Sequence, residues 1–339
     1  MAAVTLGVLR ERHPGETRVA LVPEGVRDVC VLGLSVLVEG GAGAVAGFTG
    51  AVYRAAGARV VSRAKVTSAD IVVVVRRPTV GTLGPMRRGQ ILLGLLRPMH
   101  APFVVRRWAD EGATLISLDQ LAATAGPASS LDAAAGQAEF AGSEAVRLAA
   151  DRLGREPAGR PTGVLVLGGG PATRRAIETA RLLGADVQVH GASERAPAAA
   201  LPSFDIVIST VEPSDSAPPL LLDDDALRRL RPGSVVVDLA CGPYGRTVAG
   251  AEPGVERVLA DGVTVVGAGD LAARVPASAS AAFSRSVTEL LAHLVHDGRP
   301  VADLAEPALA VAVIAHAGAV RHAGVLRGLA ATTAVAGLP

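Results

Sequence analysis

Gly168 and Gly170 are the residues of this sequence with the clearest chemical potential, set between an apolar run and a helix-compatible stretch in VLVLGGGPATRRAIETARLLGADVQVH. They fill the first two positions of G-x-G-x-x-G, and Thr173 stands at the third. Glycine at the first position permits a tight turn, glycine at the second lets backbone amides approach a pyrophosphate, and the helix N-terminus adds partial positive charge. A strand before and another after raise the pattern above a bare glycine triplet. Gly168, Gly170, Pro171 and Ala172 are therefore expected to cradle the phosphates of a dinucleotide. The second strand runs out through Val189, His190, Gly191, Ala192, Ser193, Glu194 and Arg195, so no carboxylate stands at Gly191, where NAD sites place one. Ser193 and Arg195 would suit a 2′-phosphate, although a solvated turn would look the same. The expected cofactor is NADP, with NAD possible.

Other reactive side chains exclude more than they promise. Lys65 is the only lysine, and arginine cannot form a Schiff base, so lysine-imine chemistry is set aside. Cys30 and Cys241 lie far apart with no second pair, which argues against a disulfide framework and a zinc site; both are expected to be buried small hydrophobes. Asp223, Asp224 and Asp225 head LLLDDDALRRL and read as a helix cap, and Asp238 in VVVDLA reads as a buried structural carboxylate. No metal site is expected. His100 has an ordinary pKa near neutrality and could donate a proton, while a plain surface histidine is the competing reading.

The elements that must position these groups alternate. Val4–Leu9, Leu34–Glu39, Ile71–Val75, Ile91–Leu96 and Thr114–Ser117 are short apolar runs separated by helix-compatible stretches, which predicts parallel strands with helical crossovers. The small-residue segment from Leu118 to Asp132 predicts a long loop. A breaker-rich run, Gly154–Gly163, separates this rhythm from a second one that begins at Val164. After Pro276, Phe283, Val287, Leu290, Leu291 and Leu294 share one helix face.

With 339 residues, 50% of them hydrophobic and 19% charged, the chain exceeds one core yet has no run approaching the ~20 apolar residues of a membrane span. A formal charge of +1 and 2% aromatic residues leave no footprint for nucleic acid. The opening MAAVTLGVLRERH puts its apolar run before its charges, the reverse of a signal peptide, so the expected location is the cytoplasm.

In order and spacing, GVLRERHPGETRVALVPEGV, VLVEGGAGAVAGFTGAVYRAAGARVV, SLDAAAGQAEFAGSEAV, RPGSVVVDLA, VTVVGAGDLAARVPASASAAFS and VIAHAGAV resemble the alanine dehydrogenase and nicotinamide nucleotide transhydrogenase alpha-subunit family. The resemblance runs from Gly7 to about His322. It implies an α/β fold of two Rossmann-like domains, the nucleotide-binding one (134–276, with a connecting helix) inserted between an N-terminal domain (1–133) and C-terminal helices (277–339). It also implies that Arg18 grips a substrate carboxylate, that Asp132 lies in a mobile loop near the nicotinamide, and that Asp270 meets the nicotinamide ribose. Ser209 and Leu271 join the expected cofactor contacts. Several family positions are substituted: Val74 replaces a lysine, Arg97 a catalytic histidine and Gly242 a catalytic aspartate. Arg76 and Arg97 could join Arg18 in clamping a carboxylate at strand ends.

The expected activity is NAD(P)-dependent hydride transfer with an amino, imino or oxo acid in an interdomain cleft, Asp132 or His100 handling a proton. The partners expected are a small carboxylate and further copies of the chain in a homodimer or higher homo-oligomer. A non-catalytic nucleotide-binding relative or partner subunit, or a non-redox biosynthetic enzyme on the same fold, is the alternative.

Overall fold

A computed structural model describes residues 3–123, 130–154, 159–195, 198–211, 218–242 and 245–336. The chain divides into two compact units, Met1–Gly136 with Val275–Pro339, and Gln137–Arg274.

In the first unit the strands are β1 (Thr5–Val8), β2 (Ser35–Glu39), β3 (Arg59–Val61), β4 (Ile71–Arg76), β5 (Ile91–Leu95) and β6 (Thr114–Ser117). The second unit holds β7 (Gly163–Leu167), β8 (Asp186–His190), β9 (Ile206–Ser209), β10 (Val235–Asp238), β11 (Glu256–Val258) and β12 (Thr264–Gly267). After the chain returns to the first unit come β13 (Val295–His296), β14 (Arg299–Pro300), β15 (Val313–His316) and β16 (Ala319–Val320).

The first sheet has the order β16-β15-β6-β5-β4-β1-β2-β3. From β3 to β6 it is parallel, and its central strands read as continuous apolar runs because helices cover both faces. β15 then adds antiparallel to β6, and β16 to β15. The C-terminal segment is thus not helical throughout, as the sequence led one to expect. VIAH is β-branched and apolar enough to extend the sheet by an edge, and a tight turn brings the chain back along it.

The long helix Pro276–Leu294 buries Phe283, Val287, Leu290, Leu291 and Leu294 completely in the core of this unit, the face anticipated from spacing. Its serines bind the segment that follows Arg18: Ser280 Oγ accepts from Val19 N at 3.0 Å and Ser284 Oγ from Val22 N at 3.2 Å. Gly25 permits this approach, since a methyl there would collide with Ser284 Oγ. Sequence-distant serines therefore satisfy backbone donors that would otherwise be buried alone.

The second sheet has the order β11-β12-β10-β9-β7-β8, parallel except for the edge pair β11 and β12. The sequence rhythm had not revealed β3 or β11, which have three residues each and exposed positions, too little for alternation to register. Asp238, fully buried, accepts from the backbone of Ala240, Thr247 and Val248 and from Thr247 Oγ1 at 2.8–3.0 Å, a structural role as expected. Cys241 is buried, but Cys30 is exposed on its helix, a correction to the burial expected for both.

Candidate active site

Each sheet reverses strand order once within its parallel part. In the second unit β7 lies between β8 and β9, so the crevice at the carboxyl ends of β7 and β9 is a topological switch point, where open α/β sheets bind ligands. The glycine turn stands there. Gly168 has φ +141° and packs so closely on Thr210 that any side chain would run into it. Gly170, exposed and with φ +82°, opens the helix Gly170–Leu182, and Pro171 in the first turn costs no hydrogen bond.

Thr173, at the third motif position, is buried and shares a 2.6 Å hydrogen bond between hydroxyls with Thr210. The close packing that a third glycine gives elsewhere comes here from another place: Gly142, on the helix Ala133–Leu153, meets the Ala172 carbonyl so tightly that a methyl would collide with it. Ala172 itself is 3% exposed and serves packing. The turn presents exposed backbone at a helix N-terminus, which fits a pyrophosphate.

Three cofactor-side expectations change. Ser209 is fully buried and its hydroxyl accepts from Thr247 Oγ1 at 2.7 Å, so that side chain serves the interior. Leu271 is 4% exposed and belongs to the core behind β12, whereas Asp270 beside it is exposed. At the end of β8, Ser193 is exposed but Arg195 is paired with Asp223 at 3.0 Å, and Asp223 also caps its helix through Ala226 N. Glu194 folds back instead: its carboxylate lies 3.6 Å from His190 Nδ1 and 3.2 Å from where a Cβ on Gly191 would stand. A carboxylate is present at this strand end after all, supplied from three residues onward.

In the first unit the switch point lies between β1 and β4, with β2 on the far side of β1. The segment Leu9–Pro14 after β1 and Val74, Pro78, Thr79 and Thr82 line a crevice of about 130 Å³ there, together with Arg63. Glu11 is held at its edge by Val75 N, which donates to Oε1 at 2.5 Å. Burial, aided by nearby Glu16 and opposed by the Val75 and Arg76 amides and the Arg18 charge, pushes the Glu11 carboxyl up to about 8. Glu11 is therefore largely a neutral acid at pH 7. His13 Nε2, 3.1 Å from the Arg77 carbonyl, lines the same crevice. Sequence reading missed both; their signal was position, directly after a strand at the switch point.

Arg18 is not a surface group. Its side chain is 1% exposed and Glu16's is 0%, and Nε and Nη2 meet the two Glu16 oxygens at 2.7 and 2.6 Å. Arg76, half-buried at the end of β4, and the exposed Arg97 have no side-chain partner among the described residues. Arg97 also has φ 44°, rare for a residue with a side chain, and is held there by an Arg77 hydrogen bond to its carbonyl and by Asp119 accepting from its amide. His100 is half-buried in the 3-10 turn that follows. Asp132 caps the helix Ala133–Leu153 by accepting from Ala135 N at 2.8 Å, so its carboxylate has a structural duty. The loop expected from Leu118 to Asp132 begins instead as a 3-10 turn, Leu118–Ala123; residues 124–129 lie outside the described residues. At Gly242, the substituted aspartate position, Cys241, Arg246 and Glu252 help line a separate cavity of about 350 Å³. The described residues contain no cluster of metal-ligating side chains and no helix long and apolar enough to cross a membrane.

The raised Glu11 pKa makes stability depend on pH. A carboxyl whose folded pKa exceeds its unfolded value stabilises the fold most below about 4.5, and the contribution falls as pH rises toward about 8. Stability is expected to decline across that window by at most about 1.4 kcal/mol per pH unit. Urea denaturation of Glu11→Gln should show a flatter profile; an unchanged slope would place the titration elsewhere.

Two doubly wound sheets, one with a glycine turn at its switch point and the other with a cationic crevice at its own, define a dinucleotide-binding α/β protein. Residues 7–141 match the alanine dehydrogenase/PNT N-terminal domain and residues 187–323 the alanine dehydrogenase/PNT C-terminal domain, and the chain belongs to this family. It is 30% identical to the NAD(P) transhydrogenase subunit alpha of Cereibacter sphaeroides over 93% of this chain and 70% of that one. It is 26% identical to the alanine dehydrogenase of Mycobacterium tuberculosis (strain H37Rv) over 93% and 94%. Among solved structures it resembles a transhydrogenase from Sinorhizobium meliloti (TM-score 0.83, 30% identity, 94% of this chain and 99% of that one). It also resembles an L-alanine dehydrogenase (TM-score 0.84, 25% identity, 97% and 99%).

Proposed function

We propose that the chain is an NAD(P)-dependent oxidoreductase of the alanine dehydrogenase and transhydrogenase type, which transfers hydride to or from a small amino, imino or oxo acid. The observation that carries this reading is the glycine turn at the switch point of the second unit, in a chain that matches both domains of the family. Backbone amides around Gly168 and Gly170 would hold the pyrophosphate, and Asp270 is exposed beside β12 for the ribose. The nicotinamide, when bound, supplies or accepts the hydride.

The acid is assigned to the crevice of the first unit. Arg76, which follows the lining residue Val74 by two positions and has no side-chain partner among the described residues, would bind the carboxylate from the rim, a role that Arg97 at the next strand end could share. Arg18, closed in by Glu16, positions the loop after β1. In the reducing direction the carbon gains the hydride and the heteroatom takes a proton, which we assign to Glu11, with His13 beside it in the crevice lining, in place of Asp132.

The charges around β8 support NAD over the NADP expected from sequence. Glu194 would repel a 2′-phosphate and accept from ribose hydroxyls, and the arginine that would have balanced it is engaged by Asp223. Calorimetric titration should give the tighter constant for NAD, and Glu194→Gln should improve NADP binding about tenfold, roughly 1.4 kcal/mol. Tighter NADP binding by the parent chain would overturn this assignment. The activity is tested by nicotinamide absorbance on mixing the chain and reduced cofactor with 2-oxo acids and ammonia; absence of turnover with both cofactors in a chain that binds them would favour the non-catalytic reading.

A further inference from the structure

The crevice between β1 and β4 carries more positive charge than one carboxylate needs. Arg63 reaches Glu39 at 2.9 Å and Arg12 reaches the same carboxylate at 3.2 Å. Arg63 is fixed further by donating from Nε and Nη2 to the Thr82 carbonyl at 3.2 and 2.8 Å. Arg10, whose backbone amide donates to Glu39 at 2.9 Å, has no partner for its guanidinium among the described residues. Two guanidinium groups thus meet the Glu39 carboxylate, and Arg10, tied to it through its backbone amide, adds a third arginine to the same crevice. Arg10, Arg12 and Arg63 line the crevice beside one acid, Glu11, which burial pushes toward its neutral form, so the lining carries an excess of positive charge.

Such an excess in a concave place attracts an anion, because charges of one sign focus their field into the cleft. The fold keeps the excess in place. Glu39 ends β2, Arg10 and Arg12 follow β1, and Arg63 opens the helix after β3, so three adjacent strand ends deliver the cluster. The volume of about 130 Å³ leaves room for a carboxylate or phosphate group. Thr79 and Thr82 place hydroxyls at the same rim.

We propose that Arg10, Arg12 and Arg63 form a second anion subsite, so that the substrate is an acid carrying a further acidic group, a distal carboxylate or a phosphate. This rests on the assignment of the crevice to the acid substrate and specifies which acids it takes. Arginine suits the role because its planar fork meets both oxygens of such a group. The monoacids are correspondingly the poorer ligands.

The test is calorimetric titration of the full chain in the presence of NAD with pyruvate, oxaloacetate, 2-oxoglutarate and phosphoenolpyruvate, at low and at physiological salt. At least one of the last three should bind tenfold or more tightly than pyruvate, with oxaloacetate and 2-oxoglutarate standing for the carboxylate and phosphoenolpyruvate for the phosphate. Arg10→Gln and Arg12→Gln, both at exposed positions, should collapse the preference. Arg106→Gln, on an exposed helix of the same unit, should preserve it and so exclude a general charge effect. Equal affinity for pyruvate and the dianions would overturn the subsite while leaving the acid-binding crevice in place. No binding of any acid by a chain that still binds NAD would overturn both.

Discussion

Gly170→Ala is expected to weaken nicotinamide-nucleotide binding by a hundredfold or more, about 2.7 kcal/mol. The reason is twofold. The added Cβ enters the space where backbone must approach the pyrophosphate, and φ +82° suits glycine alone. Backbone strain by itself costs roughly 1 kcal/mol, so a loss of binding must be separated from a loss of fold. Gly184→Ala supplies the comparison. Gly184 ends the same helix with φ +79° and has open space around it, so it carries the strain without the site. Both variants should lose a few degrees in Tm, and only Gly170→Ala should lose the cofactor. Matching nucleotide affinities for the two variants would remove the dinucleotide from this turn.

The second large effect is on stability. Arg18→Met leaves the Glu16 carboxylate buried without its charge partner, and breaking such a pair costs about 3–5 kcal/mol. An exposed ion pair would cost at most ~1 kcal/mol. Replacing both partners, as in Glu16→Gln with Arg18→Met, should restore much of the loss, since no charge is then buried alone. The measurement is the urea midpoint of the four members of this cycle. A loss below about 1 kcal/mol in the single variant would show that the pair opens to solvent, and would return Arg18 to direct contact with substrate.

The two outcomes together separate the halves of the proposed reaction. In the proposed reaction cofactor binding rests on Gly170 in one unit, and the loop after β1 rests on the Arg18–Glu16 pair in the other.

Much of this is legible in the sequence, for physical reasons. The parallel strands were legible because a strand covered on both faces must be apolar through its middle, and β1, β2, β4, β5 and β6 are, with polar residues confined to their ends. The glycine turn was legible because its chemistry is local: a strand, two glycines and a helix start lie within one short stretch. The helix Pro276–Leu294 declared its buried face by spacing. The Asp223 cap and the structural role of Asp238 were read correctly from their immediate neighbours.

What sequence could not decide was which side chain meets which across strands. Arg18 pairs with a residue two positions away, yet the burial of that pair, in a segment whose next residues are held by serines of the returning helix, is a tertiary outcome. Glu194 lies three residues from the position inspected for a carboxylate and reaches it by a turn of the loop. Arg10, Arg12, Arg63 and Glu39 come from three strand ends separated by up to 53 residues, and their meeting follows from the strand order β4-β1-β2-β3. Local patterns fix elements because hydrogen bonding and burial within an element act over a few residues. A binding crevice depends on how elements are ordered in the sheet, and that order is decided by tertiary packing.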